Sequence, residues 1–246
     1  METNYFCNYL DWDSNFFDRR IACATVKTLT NEKIDIILNW CVSQAIDCLY
    51  FLGSSDDAKT IRLAEDNGFR FVDIRLTLER HFEEDKAILS EQNFSGSIRL
   101  VQPDDIPALK AIARRSFRFT RFYFDGYFPP ERCDNLYEIW TEKSCHGYSD
   151  VVFVAEIQRS PCGFITCQRI DDYRGQIGLI AVKNKFHGKG IGKALVNQSF
   201  NWFTMNGMRD VQVVTQLRTI QTQRLYQGSG FLTKSVEFWY HKWFTK

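Results

Sequence analysis

The feature that most constrains the fold of this chain is the heptapeptide His187-Gly188-Lys189-Gly190-Ile191-Gly192-Lys193. It is set between an apolar run at 175–182 (GQIGLIAV) and an amphipathic stretch at 192–205. Strand, loop and helix in that order turn several main-chain N–H groups toward one point at a helix start, and alternate glycines let a ligand come close to the backbone. A phosphate or a diphosphate fits such a loop. Lys183, Lys185, Lys189 and Lys193 cluster around it, with no acid between 182 and 196. The whole chain, by contrast, carries 31 basic and 30 acidic residues for a net charge of +1. It therefore has no broad field for a nucleic acid or an anionic membrane, and any anion site is local. A loop that serves only as a tight turn is the alternative.

Two other phosphate loops fail on their own requirements. A nucleotide triphosphatase loop needs G-x-x-x-x-G-K-[ST]. Here His187 takes the first glycine position and Ala194 follows the lysine, leaving no hydroxyl for magnesium. The dinucleotide fingerprint G-x-G-x-x-G opens an early βαβ unit, whereas this G-x-G-x-G lies late in the chain.

The remaining sequence reads as folded and globular. Its 44% hydrophobic and 15% aromatic content is the opposite of the excess charge and scarce aromatics of disordered chains. No run approaches the roughly eighteen apolar residues of a membrane span. The amino-terminal segment mixes aromatics with acids and lacks the basic start and apolar stretch of a secretion signal, so a cytoplasmic location is expected. Eight scattered cysteines form no CxxC pair and have no histidine at zinc-ligand spacing. Reduced, packed thiols and no metal are expected.

The most polar stretch, 83–97, separates two regions of apolar patterning. It divides the chain into an α/β unit at 1–85, a linker at 86–97 and a larger unit at 98–246. In the larger unit the patterns predict a strand at 98–101 and a helix from 104 to about 117, capped by Asp104 or Asp105. A hairpin of 151–156 with 162–168 is expected to turn at Ser160-Pro161. Then come a strand at 175–182, a helix at 192–205, a strand at 211–215, a helix at 221–227 and a closing strand at 231–243. Residues 118–131 (RFTRFYFDGYFPPE), dense in aromatics and broken by glycine and two prolines, are expected to be a loop lining a pocket, followed by a helical pattern at 133–143. The class is α+β, with a mixed, mainly antiparallel sheet flanked by helices. Residues 47–80 and 210–243 echo one another, each with an apolar strand, a polar helix, a Gly-Phe junction and a second strand. The smaller unit reads as a degenerate half-copy of the larger one, with Ala64 where the later copy has Tyr226 and no glycine-rich loop. Two unrelated helix–turn–strand units are the alternative.

Ile177 to Val182 followed by HGKGIGKAL resembles the GCN5-related N-acetyltransferases (GNAT), whose coenzyme A loop follows Q/R-x-x-G-x-G/A after a strand ending in valine. The resemblance implies the GNAT fold for 98–246 and acetyl-CoA as co-substrate. It implies that backbone groups of Leu179, Ile180, Ala181 and Val182 face the pantetheine arm, and that the amides of His187, Gly188, Lys189, Gly190, Ile191, Gly192 and Lys193 hold the pyrophosphate. His187 departs from the usual glutamine or arginine, although an imidazole still donates a hydrogen bond or carries charge. Thr219 stands near the cofactor, where such enzymes place an asparagine. LDWDSNFF at 10–17, DIPAL at 105–109, Arg121-Phe122, Tyr137 with Trp140, Asn201-Trp202, Thr215-Gln216 and Tyr226 recur in similar order in the nucleotide-sugar acetyltransferases of that superfamily. That likeness implies a nucleotide-linked 4-amino-4,6-dideoxy sugar as substrate and a homodimer, with no nucleic-acid or membrane partner.

Acetyl transfer needs a neutral amine, a donor for the developing oxyanion and a proton for the departing thiolate. Tyr226 matches the family's proton-donor tyrosine, and a phenol of reference pKa about 10 is protonated at neutral pH. A packing role in the core is the alternative. The oxyanion donor would be a backbone N–H within 179–182, which has no side-chain signature. Glu156, Asp125, Asp171 and Asp172 lie near strand ends or the aromatic loop, but a water chain would serve as well, so no base is assigned. Arg118, Arg121, Tyr123 and Tyr127 are expected to bind a nucleotide diphosphate and stack on a ring, a packed aromatic loop being the alternative. Acetylation of another small amine or a peptide terminus, and non-catalytic acyl-CoA binding, also fit the sequence.

Overall fold

A computed structural model of the chain describes residues 6–82 and 94–244. The amino-terminal unit runs β1 (Cys7–Tyr9), α1 (Asp11–Phe17), β2 (Ile21–Ala24), α2 (Asn31–Ser43), β3 (Cys48–Ser54), α3 (Ala58–Asp66) and β4 (Arg70–His81). The chain continues with β5 (Ser97–Leu100), α4 (Ile106–Ser116), α5 (Arg121–Asp125), α6 (Pro130–Lys143), β6 (Val151–Ile157), β7 (Ser160–Arg169) and β8 (Arg174–Val182). It ends with α7 (Ile191–Met205), β9 (Asp210–Gln216), α8 (Ile220–Gln227) and β10 (Leu232–Trp243). All ten strands form one sheet in the order β1-β2-β3-β10-β4-β9-β8-β7-β6-β5, parallel only at β2·β3 and β8·β9.

Side chains that alternate along the strands sort the helices to two faces. Cys48 and Tyr50 of β3, with Val152 and Val154 of β6 and Phe164 of β7, pack against Phe17 of α1, Leu109 and Ile112 of α4, Phe122 of α5 and Leu136 and Tyr137 of α6. On the opposite face, Leu49, Phe51 and Tyr240 meet Ile34 and Ile37 of α2 and Ala64 of α3. Along the same side Leu78, Ile165, Ile177 and Val213 meet Leu195, Phe200 and Phe203 of α7 and Tyr226 of α8. Burying each large apolar side chain contributes about 1.5–3 kcal/mol, so both faces are needed to hold the sheet.

The two sequence echoes occupy equivalent places in the sheet and exchange strands. The second strand of each pairs with the first strand of the other: β4 with β9, and β10 with β3. Ser54 opposes Glu237 where Gln216 opposes Arg75, and Arg75 opposes Glu237 at the centre, so the register repeats about a local two-fold axis. The helix ends match as well. Phe69 N–H donates to Ala64 O and Phe231 N–H to Tyr226 O, both at 3.0 Å, with Gly68 and Gly230 at φ +74° and +82°. Ala64 thus holds the place of Tyr226 in the first repeat. Much of the polar stretch between the units, 83–93, lies outside the described residues, and one hydrogen-bonded sheet runs through the units on either side of it.

Two local expectations are corrected. The β6–β7 hairpin turns at Gln158-Arg159, with φ of +50° and +61°, and Ser160 and Pro161 already belong to β7. A two-residue turn with both central residues in the left-handed region suits the twist of a hairpin, and neither residue is the glycine or asparagine that signals it. The aromatic stretch 118–131 is not one loop but carries the short helix α5, and α6 starts at Pro130, a residue suited to a first helical turn.

Candidate functional site

Strands β8 and β9 run parallel from Arg174 and Asp210 to Ile177 and Val213, where their pairing ends. Beyond that point β8 stays on β7 alone. A bulge sets Gly178 and Leu179 opposite Thr166, whose hydroxyl accepts from Leu179 N–H at 2.8 Å. A Cβ at position 178 would lie 2.7 Å from that hydroxyl, so glycine is needed there. Lys183 N–H donates to Cys162 O. By alternation, the N–H and C=O groups of Ile180 and Val182 point away from β7, into the gap where β9 has parted.

The glycine-rich loop leads from this gap to α7. His187 Nε2–H donates to Val182 O at 2.8 Å, so the imidazole ties the loop back to the strand end and fixes the ring's orientation. Gly188 and Gly190 lie at φ +75° and +78°, in the region that favours glycine. Gly192 has a different cause: a Cβ there would meet the Leu225 side chain of α8 at 3.2 Å. Gly190 caps α7 without a side-chain hydrogen bond, and the first turn holds no acid. The N–H groups of Ile191, Gly192 and Lys193 therefore face outward with the positive end of a fifteen-residue helix behind them. Lys183, Lys185, Lys189 and Lys193 have no ion-pair partner among the described residues. This arrangement fits a diphosphate.

Tyr226 lies on α8, 2% exposed, in the core cluster that also holds Ile177 and Val213, with its ring edge-on to Phe231. Burial, with the neighbouring Cys167, holds its pKa above the ordinary phenol value, so the group is a proton donor at neutral pH. None of the side-chain hydrogen bonds among the described residues involves its hydroxyl. Thr219 sits at the start of α8, where its hydroxyl bonds Thr215 Oγ1 at 2.9 Å and donates to Gln216 O at 2.8 Å.

On the opposite face the four expected substrate residues separate. Arg118 and Tyr123 both reach Asp134, at 3.3 and 2.5 Å, on the flank of α6. Tyr127 is exposed and stacks on Trp243, with Arg70 over its ring. Arg121 alone turns inward. Its guanidinium lies 4.1 Å from the Tyr50 ring, 4.2 Å from Phe122 and 4.3 Å from Trp239, and it donates to His241 Nε2 at 2.6 Å. His241 Nδ1–H in turn donates to Asp125, which also accepts from Trp243 Nε1. Burial pushes the His241 pKa down to about 4 against the raising effect of its bond to Asp125, and the charge of Arg121 acts in the same direction as burial. The imidazole is therefore neutral.

The acids considered from sequence are engaged elsewhere or lie far from this junction. Asp125 is bound as above, Glu156 accepts from Arg99 and Ser97, and Asp171 accepts from Arg174 and Tyr173. Asp172 lies in an exposed turn. Asp73 on β4, not among the residues the motifs single out, is buried on the same face as Trp239, its partner across β10. The signal was present, since a single acid interrupts the apolar run FVDIRLTL. Among the described residues no group of three or more His, Cys, Asp or Glu side chains is placed to hold a metal, and no helix is long and apolar enough to cross a membrane.

A mixed sheet parted between two parallel strands, with an uncapped, glycine-rich helix start at the gap, defines an α+β class with an anion-accepting junction. The acetyltransferase (GNAT) family model matches residues 106–231, and the chain belongs to that family. It is 28% identical over 142 residues to the spore coat polysaccharide biosynthesis protein SpsD of Bacillus subtilis, covering 58% of this chain and 49% of that one. It is 26% identical over 150 residues to the dTDP-fucosamine acetyltransferase of Escherichia coli, covering 60% of this chain and 63% of that one. The chain thus spans only about half to three-fifths of these relatives' lengths. A GCN5-related N-acetyltransferase from Sphaerobacter thermophilus shares the fold over 96% of this chain and 76% of its own, with a TM-score of 0.69 at 15% identity.

Proposed function

We propose that the protein is an acetyl-CoA-dependent N-acetyltransferase that acts in the cytoplasm on the amino group of a nucleotide-linked 4-amino-4,6-dideoxy sugar. The observation that carries the reading is the juxtaposition of two sets of backbone groups, with Val182 O alone among them already taken by His187. Ile180 and Val182 face the gap beyond Ile177 and Val213, and the uncapped start of α7 stands beside them. Acetyl-CoA supplies an activated acetyl thioester. The amides at 188–193 would hold its diphosphate, and the backbone of 179–182 its pantetheine arm. An N–H directed into the gap, from Ile180 or Val182, would donate to the carbonyl oxygen as that oxygen gains charge. Tyr226, protonated and packed in the cluster of Ile177 and Val213, would give its proton to the departing sulfur.

The sugar half of the reading draws on the names of the two relatives, one in polysaccharide biosynthesis and one acting on dTDP-fucosamine. In this chain Arg121, held between Tyr50 and Trp239, offers a cation for a nucleotide diphosphate. The test is release of free thiol from acetyl-CoA with a panel of amino-sugar nucleotides, polyamines and peptides. Turnover confined to amino-sugar nucleotides is expected. Turnover confined to peptides or polyamines would refute the sugar assignment, and no heat of acetyl-CoA binding at millimolar concentration would refute the enzyme class.

A further inference from the structure

Asp73 is 1% exposed, and its Oδ2 has no hydrogen-bond partner among the described residues. Its other oxygen is firmly held. Oδ1 accepts from Ile74 N–H at 2.9 Å and from Arg218 Nη1 at 2.7 Å, and Arg218 is itself fixed by a bond to Val72 O and by stacking at 3.9 Å on Phe124. The carboxylate is thus oriented with one oxygen left over. A desolvated carboxylate oxygen without a donor is unfavourable, and such groups persist where a ligand completes them.

The place of Asp73 in the sheet says which ligand atoms it would meet. Strand β4 extends past the last pair it makes with β9: Gln216 opposes Arg75, Leu217 N–H reaches Ile74 O, and Asp73 lies beyond. Since β8 and β9 part at Ile177 and Val213 and run on in the same direction, Asp73 stands at the open end of their gap. Across β10 it opposes Trp239, so it shares the face on which Arg121 is held.

We infer that Asp73, a residue of the amino-terminal repeat, receives the acceptor's ammonium group at Oδ2 and removes the proton that frees the nitrogen lone pair. The inference rests on the acetyl-transfer reading above. In the balanced step, one N–H bond of the ammonium breaks toward Asp73, and the nitrogen forms a bond to the acetyl carbonyl carbon. The carbon–sulfur bond breaks, and the thiolate takes the Tyr226 proton. The nitrogen then loses a second proton, which restores Tyr226, and Asp73 passes its own proton to solvent. One amide, one free thiol and one released proton result.

The surroundings of Asp73 suit that task. Arg218 faces it from the segment between β9 and α8, Arg121 from α5 and Tyr137 from α6, while its neighbour across β10 is the uncharged Trp239. Burial raises its pKa, and the backbone bond and the two arginines lower it, with burial prevailing. A carboxylate shifted upward is a stronger base.

The test compares the wild type with Asp73→Asn and Arg218→Gln in the thiol-release assay, using dTDP-4-amino-4,6-dideoxygalactose and the amine panel. The expected result for Asp73→Asn is a loss of about 100-fold or more in kcat/KM and disappearance of the acidic limb of the pH profile. Acetyl-CoA affinity by calorimetry should stay unchanged. Arg218→Gln keeps the carboxylate but removes a cation that lowers its pKa, so the acidic limb should move to higher pH. An acidic limb retained by Asp73→Asn, or unmoved in Arg218→Gln, overturns the inference. So does acetyl-CoA binding without turnover of any amine. Failure of the wild type to bind acetyl-CoA is a different result, and it overturns the reading on which the inference stands.

Discussion

His241 makes a quantitative prediction about acid stability. It is 0% exposed, and its pKa lies at about 4 in place of the ordinary 6.5, because burial disfavours the charged ring and Arg121 occupies Nε2. In the unfolded chain the ring titrates near its ordinary value, so between those two pH values the unfolded state binds a proton that the folded state does not. The stability His241 contributes is therefore complete above about pH 6.5 and is lost as pH falls toward 4. Each pH unit inside that window is worth about 1.4 kcal/mol, so lowering the pH from 7.5 to 5.0 should cost about 2 kcal/mol through this one group. Urea unfolding of the wild type and of His241→Asn at both pH values isolates it, since the variant lacks the titrating ring. The wild type should lose about 2 kcal/mol more than the variant. Equal losses, or a His241 ring whose nitrogen-15 shifts titrate near pH 6.5 in the folded protein, would refute the reasoning. The link to function is direct, because a protonated ring would release Arg121 from its position between Tyr50 and Trp239.

Tyr226→Phe removes one oxygen and no side-chain hydrogen bond, so thermal stability and acetyl-CoA affinity should be nearly unchanged while kcat falls about 100-fold. An unaltered kcat would take the hydroxyl out of the reaction. Gly190→Val forces a β-branched residue to φ +78°, at a cost of about 1–3 kcal/mol, and should also weaken acetyl-CoA binding at least about tenfold by disturbing the start of α7. Calorimetry on folded variant protein checks this, and full affinity would argue against the loop as the diphosphate site.

Parts of this protein are written locally, and those parts were legible. The run 175–205 specifies a strand, a turn with left-handed glycines and a helix start through neighbours only a few positions apart, and it forms as its pattern indicates. The same holds for the helix of Tyr226 and for the two Gly-Phe junctions, which share the same hydrogen bond. The aromatic stretch was legible as a dense cluster, but the fate of each side chain was not. Arg121 and Asp125 find their partners on β10, over a hundred residues away, while Arg118 and Tyr123 turn to Asp134 on α6.

What only the tertiary structure decided is how the two repeats combine. Either repeat could close its own strand pair, and no short-range rule tells β4 to pair with β9 or β10 to pair with β3. Hydrogen-bond donors and acceptors along a strand are the same whichever neighbour they meet, so the choice rests on which side chains the whole sheet can bury. That exchange carries Asp73 from the amino-terminal repeat to the mouth of the β8–β9 gap. Sequence alone set the loop that fits a diphosphate; the sheet decided which carboxylate lies past the last β4–β9 pair.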